Sequence, residues 1–201
     1  GATEVTALDV FGPTPEFEEK RRQRGSRVRF VLGDVTDPRV IAMLGPHDVV
    51  FCAGVLYHHP SPFDLLVALR QLCRATLILR TSTIPEIGGL PNAAVFFPML
   101  DDRARMQWKL AALGLPHQEG ISNPFQPQQG YGNWFWGLTP SCLRSMVQTA
   151  GFQVNEQWEE AFAQTLVCTP VASAFAHRLP GESEARDMAE AISAAGIARP
   201  A

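Results

Sequence analysis

The sequence predicts an α/β fold: a doubly wound, mainly parallel sheet closed by a terminal antiparallel strand. Three observations predict it. Short apolar runs alternate with helix signals along the chain. Helices open repeatedly on an oxygen-bearing residue followed by proline, at Thr14–Pro15, Asp37–Pro38, Ser61–Pro62 and Thr139–Pro140. The last two apolar runs, Phe152–Val154 and Thr165–Cys168, are joined by a polar link too short for a crossover helix, so they form a hairpin.

The elements follow in order. Val5–Val10 is a strand ending on Asp9. The helix after Thr14 carries Glu16, Glu18 and Glu19 early and Lys20, Arg21, Arg22 and Arg24 late, matching the macrodipole, and Gly25 stops it. Glu16–Lys20 and Glu18–Arg22 are spaced to pair. Val28–Leu32 is the second strand, and the helix from Asp37 closes at Gly45. Val49–Cys52 is a buried strand leading into a small-residue turn at Ala53–Gly54 and a loop holding Tyr57, His58 and His59. On the helix Ser61–Cys73, Leu65, Leu66, Leu69 and Leu72 recur at helical spacing as one buried stripe, and Asp64 completes a capping-box variant with Ser61. Thr76–Leu79 is the next strand, and the helix from Thr139 ends at Gly151.

The stretch Ser82–Gly137 breaks the alternation with repeated prolines and aromatics, and Asp101–Leu113 inside it is a short helix with Met106, Leu110 and Leu113 on one face. A long segment of this kind inside a compact domain reads as a lid or substrate wall, or else as a packing excursion over the sheet. One domain over residues 1–179 is expected, with residues 82–137 as its insertion and an Ala/Glu-rich tail over 180–201.

Composition narrows the function classes. The net charge of −3 gives no global attraction to nucleic acid or to a membrane surface. No run reaches the roughly 20 apolar residues of a membrane helix. Cys52, Cys73, Cys142 and Cys168 lie in apolar contexts without metal-ligand spacing, so they read as small buried hydrophobes in a reducing compartment, which points to the cytoplasm and to no metal site. The basic run Lys20–Arg29 is the only tRNA-like electrostatic feature, and it reads more readily as a helix end with dipole-matched cations followed by a strand.

In an open parallel sheet, ligands sit beyond the carboxyl ends of the strands. Asp9 at the first strand end can accept both hydroxyls of a ribose, and Asp34, after Gly33, can accept from an adenine amino group; each is also an ordinary turn residue. Tyr57, His58 and His59 follow the third strand end. Two acids and this loop on one rim form a nucleoside-sized crevice.

Asp9, Gly33–Asp34, the run GVLYHHPSP at Gly54–Pro62 and WGLTPSCLRSMVQTAG at Trp136–Gly151 resemble class I S-adenosylmethionine-dependent methyltransferases, over roughly Val5 to Cys168. The resemblance implies a seven-stranded sheet with an antiparallel last strand. It places S-adenosyl-L-methionine along Asp9, Val10, Gly33, Asp34, Val35, Cys52, Ala53 and Gly54. Asp9 would hold the ribose, Asp34 and the Val35 amide the adenine. His58 is the first candidate base and His59 the second, with a structural brace as the alternative for His58; Tyr57 would orient donor or acceptor, and Trp134 and Trp136 would wall the acceptor pocket. In this family a first strand and a glycine-rich turn precede the position of Gly1, so the chain is expected to be a fragment or to have lost that motif.

The GVLYH run and the Trp-x-x-x-Pro-Ser helix opening are also similar to the branch that modifies the tRNA wobble uridine with a carboxylated cofactor, although that branch's arginine before the tryptophan segment is replaced by Gly132 and Asn133. The leading expectation is methyl transfer to a small molecule. The alternatives are a tRNA-modifying methyl or carboxymethyl transferase, a nicotinamide oxidoreductase, disfavoured by the lack of Tyr-x-x-x-Lys, and a non-catalytic methyltransferase-like module.

Overall fold

Each of the four helix signals opens a helix in the structure, a computed structural model describing residues 2–111, 120–121, 123–173 and 175. The elements are β1 (Thr6–Asp9), α1 (Pro15–Gln23), β2 (Arg29–Leu32), α2 (Pro38–Leu44), β3 (His47–Ala53), α3 (Pro62–Leu72), β4 (Cys73–Ser82), β5 (Ala94–Phe96), α4 (Asp102–Ala111), β6 (Trp136–Leu138), α5 (Pro140–Thr149), β7 (Phe152–Glu160) and β8 (Ala163–Pro170). Thr14, Asp37 and Thr139 accept from the backbone N–H groups of Phe17, Arg39 and Cys142, satisfying orphan donors of α1, α2 and α5. Ser61 departs from expectation: its side chain makes no capping bond, because its backbone has left the extended region that aims the hydroxyl inward. On α1, Lys20 pairs with Glu16 at 2.6 Å as expected, but Arg22 turns to Glu19 and Arg21 takes Glu18.

The leucine stripe of α3 is buried as expected, against Leu77 and Leu79 of β4, Leu143 and Val147 of α5, and Leu166 of β8. Each such side chain contributes about 1.5–3 kcal/mol relative to exposure. β3 and β4 are parallel, while β4–β8 and β7–β8 are antiparallel, so the terminal hairpin is present. β7 runs on through Glu160, because the polar link extends its exposed face rather than forming a loop.

One expectation needs correction. The sheet is not continuous: β1–β2 form one parallel pair and β3–β4–β8–β7 another sheet. Among the described residues, neither β1 nor β3 has a strand partner on its second edge. The two parts are held by helix packing instead, with Ile41 of α2 against Ala68 and Leu72 of α3, joined by Val35, Leu44 and Val50. On the other face of β3, Val49 and Phe51 are 56% and 68% exposed.

The insertion carries its own strand pairing and packing. β5 pairs antiparallel with β6, and Ile84, Phe97, Ile121 and Phe162 form a separate apolar cluster with Trp108 and Trp134 against it. α4 keeps none of its residues buried, and Met106 and Leu110 face outward; Leu113 and the tail over 180–201 lie outside the described residues. Gly137 fits where β6 passes this cluster: a Cβ there would lie 2.6 Å from both Ile84 and Phe97. All four cysteines are free and buried.

Candidate functional site

β1 and β2 pair in parallel up to Asp9 opposite Leu32, and the Gly33 N–H then donates to the Asp9 carbonyl at 2.9 Å. Asp9 and Gly33–Asp34 therefore stand side by side at two carboxyl ends. The Asp9 carboxylate is exposed and accepts from the Phe11 N–H at 2.8 Å through Oδ1. Gly33 has a structural cause, since a Cβ would approach Val40 to 2.9 Å as α2 crosses the strand end.

Asp34 is more fully engaged. Its Oδ1 accepts from the Thr36 N–H at 2.8 Å and the Thr36 hydroxyl at 2.7 Å, and its Oδ2 accepts from the Tyr131 hydroxyl. Partial burial pushes the carboxyl up, but the bonds from Tyr131 and Thr36 and the nearby His59 outweigh it and hold the group below the usual carboxylate range. The Tyr131 phenol moves the other way, pushed up to about 12 by burial and by the Asp34 charge it faces.

After β3, Gly54 turns the chain with φ near +73°, and a single 3-10 turn over Leu56–His58 anchors itself through the fully buried Leu56. Burial raises the Tyr57 phenol, against a hydrogen bond with Ser82, and its ring meets Trp134 at 4.3 Å between centroids. His58 Nδ1 lies 2.7 Å from the Asn133 carbonyl oxygen. A carbonyl only accepts, so Nδ1 carries the proton and Nε2 keeps its lone pair. His59 is the reverse: its Nδ1 accepts from the Ser61 N–H at 3.0 Å, so the proton sits on Nε2. That buried Nε2–H has no hydrogen-bond partner among the described residues and lies 4.0 Å from Asp34 Oδ1. His59 is thus a poor candidate base, because its lone pair is already taken.

Of these groups, Asp34 and Tyr131 line a crevice of about 420 Å³, together with Val10, Phe11, Gly33 and Gly130, among others, and Asp9 stands beside it next to Val10. The 3-10 segment Pro127–Gly132 of the insertion forms its second wall. The loop after β3 reaches it through His59, whose ring stacks on Tyr131 at 5.4 Å and 24°. Tyr57 and His58 instead face Trp134. Other expected residues sit elsewhere. The Cys52 side chain is in the core with its thiol pushed up to about 12 by burial, and Val35 packs between the helices. Ala53 and Gly54 are exposed. Trp136 donates through Nε1 to the Pro60 carbonyl at 2.9 Å and lines a second cavity of about 410 Å³ with Phe63, Asp64 and Met146, so the two tryptophans do not share a pocket wall. Tyr131, Thr36 and Asn133 carry much of the site's bonding and were not assigned roles from the sequence; the buried Asn133 side chain clamps the segment by bonding both Gln126 and Gly130. No group of three or more metal-ligating side chains occurs among the described residues, and no helix there is long and apolar enough to cross a membrane.

No family model and no curated protein matches the sequence. Solved structures do match. The 1,6-didemethyltoxoflavin-N1-methyltransferase of Burkholderia thailandensis, with 1,6-didemethyltoxoflavin and S-adenosylhomocysteine bound, is 18% identical with a TM-score of 0.53, over 84% of this chain and 62% of that one. The N-terminal domain of EvdMO1, with S-adenosylhomocysteine bound, is 20% identical with a TM-score of 0.51, over 85% of this chain and 65% of that one. A protein of Pyrococcus horikoshii OT3 is 13% identical with a TM-score of 0.53, over 83% and 71%. The chain spans less than two thirds of the length of the first two. At these identities the likeness is one of fold: the chain has the Rossmann-like α/β fold found in S-adenosylmethionine-dependent methyltransferases.

Proposed function

We propose that this chain transfers a methyl group from S-adenosylmethionine to a small-molecule acceptor. One observation carries the reading: Val10, next to Asp9, and Gly33–Asp34 line a single crevice at the carboxyl ends of two adjacent parallel strands, with His59 4.0 Å from the Asp34 carboxylate. The residues present suit the nucleoside part of the cofactor. Asp9 is exposed with Oδ2 unused, fit for ribose hydroxyls, and Asp34 is held ionised, fit for the adenine amino group. The similar structures with S-adenosylhomocysteine bound support the ligand class, and the bound 1,6-didemethyltoxoflavin of the first supports a small acceptor.

When bound, the cofactor supplies a methyl carbon activated by a positive sulfur, which an acceptor lone pair reaches in line. The chain's part is placement and proton removal. His58, fixed through Nδ1–H on the Asn133 carbonyl, presents the Nε2 lone pair as proton acceptor. Tyr57 and Trp134 form an aromatic wall beside it. A nucleic-acid substrate is less well supported, because Lys20, Arg21 and Arg22 of the basic run are each paired with a glutamate.

Calorimetric titration of S-adenosylhomocysteine into the full chain tests the proposal. Asp9→Ala should weaken binding at least tenfold while the thermal melt stays sharp. Unchanged affinity in that variant would overturn the reading.

A further inference from the structure

Tyr131 and Asp34 are 97 positions apart and meet across the crevice. The contact has the form of a bound ligand. A flat ring stacks on the His59 imidazole, and a donor at its rim takes the Asp34 Oδ2. An adenine ring seated there would do the same with its amino group. The other carboxylate oxygen is already filled by both Thr36 donors, so ring and ligand compete for one acceptor. We propose that Tyr131 is an intramolecular stand-in for adenine that closes the nucleoside crevice and must swing out for the ligand to enter. This rests on the crevice being the nucleoside site.

The segment that carries Tyr131 covers the crevice as a flap whose backbone is held by Asn133. Its base is fixed: Asn133 bonds the Gln126 N–H and carbonyl at 2.8 Å each, and its own carbonyl takes His58. Its tip holds to the strand ends through Tyr131, while Gln128 and Gln129 bond back to the Gln126 side chain rather than to the crevice floor. Gly130, next to Tyr131, has φ of 49° and ψ of −122°, and a Cβ there would meet nothing within 4 Å. The Gly130 carbonyl accepts from Asn133 Nδ2 at 2.9 Å and from the Asn133 N–H at 3.2 Å, so the backbone is held and the open space at Gly130 leaves room for the Tyr131 side chain to swing. The closed state is also incompletely bonded. His59 Nε2–H is buried without a partner among the described residues, and 4.0 Å from Asp34 Oδ1 is too long for a hydrogen bond. A purine edge offers an acceptor nitrogen next to its amino donor, which complements an N–H beside a carboxylate.

A closed flap lowers apparent affinity by the fraction of chains that are open. Tyr131→Phe keeps the ring and the stack but removes the donor. S-adenosylhomocysteine should bind this variant about tenfold more tightly than the parent chain, as read by calorimetry. Asp34→Asn serves as the control for the crevice and should weaken binding. Loss of affinity in both variants would make Tyr131 a direct ligand contact and overturn the gate while leaving the crevice intact. Equal affinity of Tyr131→Phe and parent would also overturn it. No binding to either chain, with both melting cooperatively, would remove the crevice reading and the gate together.

Discussion

His58 Nδ1 sits 2.7 Å from the backbone carbonyl of Asn133, across 75 positions of sequence. That bond fixes the tautomer and aims Nε2 away from the contact. It also separates two roles by substitution. In His58→Asn the side-chain amide can still donate to the Asn133 carbonyl, but no basic nitrogen remains. With an acceptor that must lose a proton, the methyl-transfer rate should fall roughly 100-fold or more. Affinity for S-adenosylhomocysteine should stay within about twofold, since His58 faces Trp134 rather than the Asp34 crevice. An equal loss of affinity and rate would mean that His58 only braces the loop.

The same residue sets a pH dependence. Burial pushes the His58 pKa below its ordinary 6.5, only partly opposed by the bond to Asn133. The unfolded chain then binds more protons than the folded one between the two values, so stability rises with pH across that window. The contribution is complete above about 6.5 and is lost as pH falls through the lower, folded value. Denaturant midpoints measured from pH 7 down to pH 5 should decline, and the decline should be shallower in His58→Asn. An identical slope in the two chains would contradict the assignment.

Local chemistry was legible and long-range bonding was not. The Thr14, Asp37 and Thr139 caps, the leucine stripe of α3 and the terminal hairpin depend on residues within a few positions of each other. Spacing therefore revealed them. Adjacent strand ends placed Asp9 beside Asp34 for the same reason. Tyr131 was one of several aromatics in a long insertion, and nothing nearby in sequence tied it to Asp34. The opposite tautomers of His58 and His59 depend on an Asn133 carbonyl far along the chain and a Ser61 amide close by. The break between β1 and β3 was equally hidden, because apolar runs report burial and not partners.

Thr139 joins α5 to the insertion. Its hydroxyl donates to the Ala93 carbonyl at 2.9 Å and accepts from the Cys142 N–H at 3.3 Å, with the residue fully buried. Thr139→Val keeps the shape and removes both bonds. It should cost about 1–2 kcal/mol, through the lost cap and one lost side-chain bond, while the Ala93 carbonyl keeps the Thr139 backbone N–H at 3.0 Å. Thr139→Ser should recover most of that in chemical denaturation. A valine variant as stable as the parent would show that the cap and the Ala93 bond are dispensable.

Gly137 gives a steric test of how tightly the insertion is seated. Its missing Cβ would lie 2.6 Å from Ile84 Cγ2 and from Phe97 Cζ, and both side chains are buried in the cluster under β6. Neither can yield without displacing Trp108 or Trp134. Gly137→Ala should therefore destabilise the chain by about 1–3 kcal/mol through overpacking. Phe97→Leu in the same chain frees ring volume and should return part of the loss, a coupling that only a shared contact produces. Strictly additive effects in the double variant would place the strain elsewhere.

Val49 and Phe51 are the apolar side chains of β3 that the fold leaves open, beside a strand edge without a partner among the described residues. An edge of this kind, with Val49 and Phe51 open on one face and Asp48 as its one acidic residue, recruits another chain. A chain of these 201 residues should therefore self-associate with rising concentration. Phe51→Lys places a charge on that face without touching the Leu77–Leu166 core on the opposite side of the sheet, so the thermal midpoint should hold while light scattering falls severalfold. Phe51→Leu, still apolar, should scatter much as the parent does. Scattering that is unaffected by the lysine would mean that association uses a different surface, such as the outward-facing Met106 and Leu110 of α4, and the matching charge at Leu110 would then suppress it.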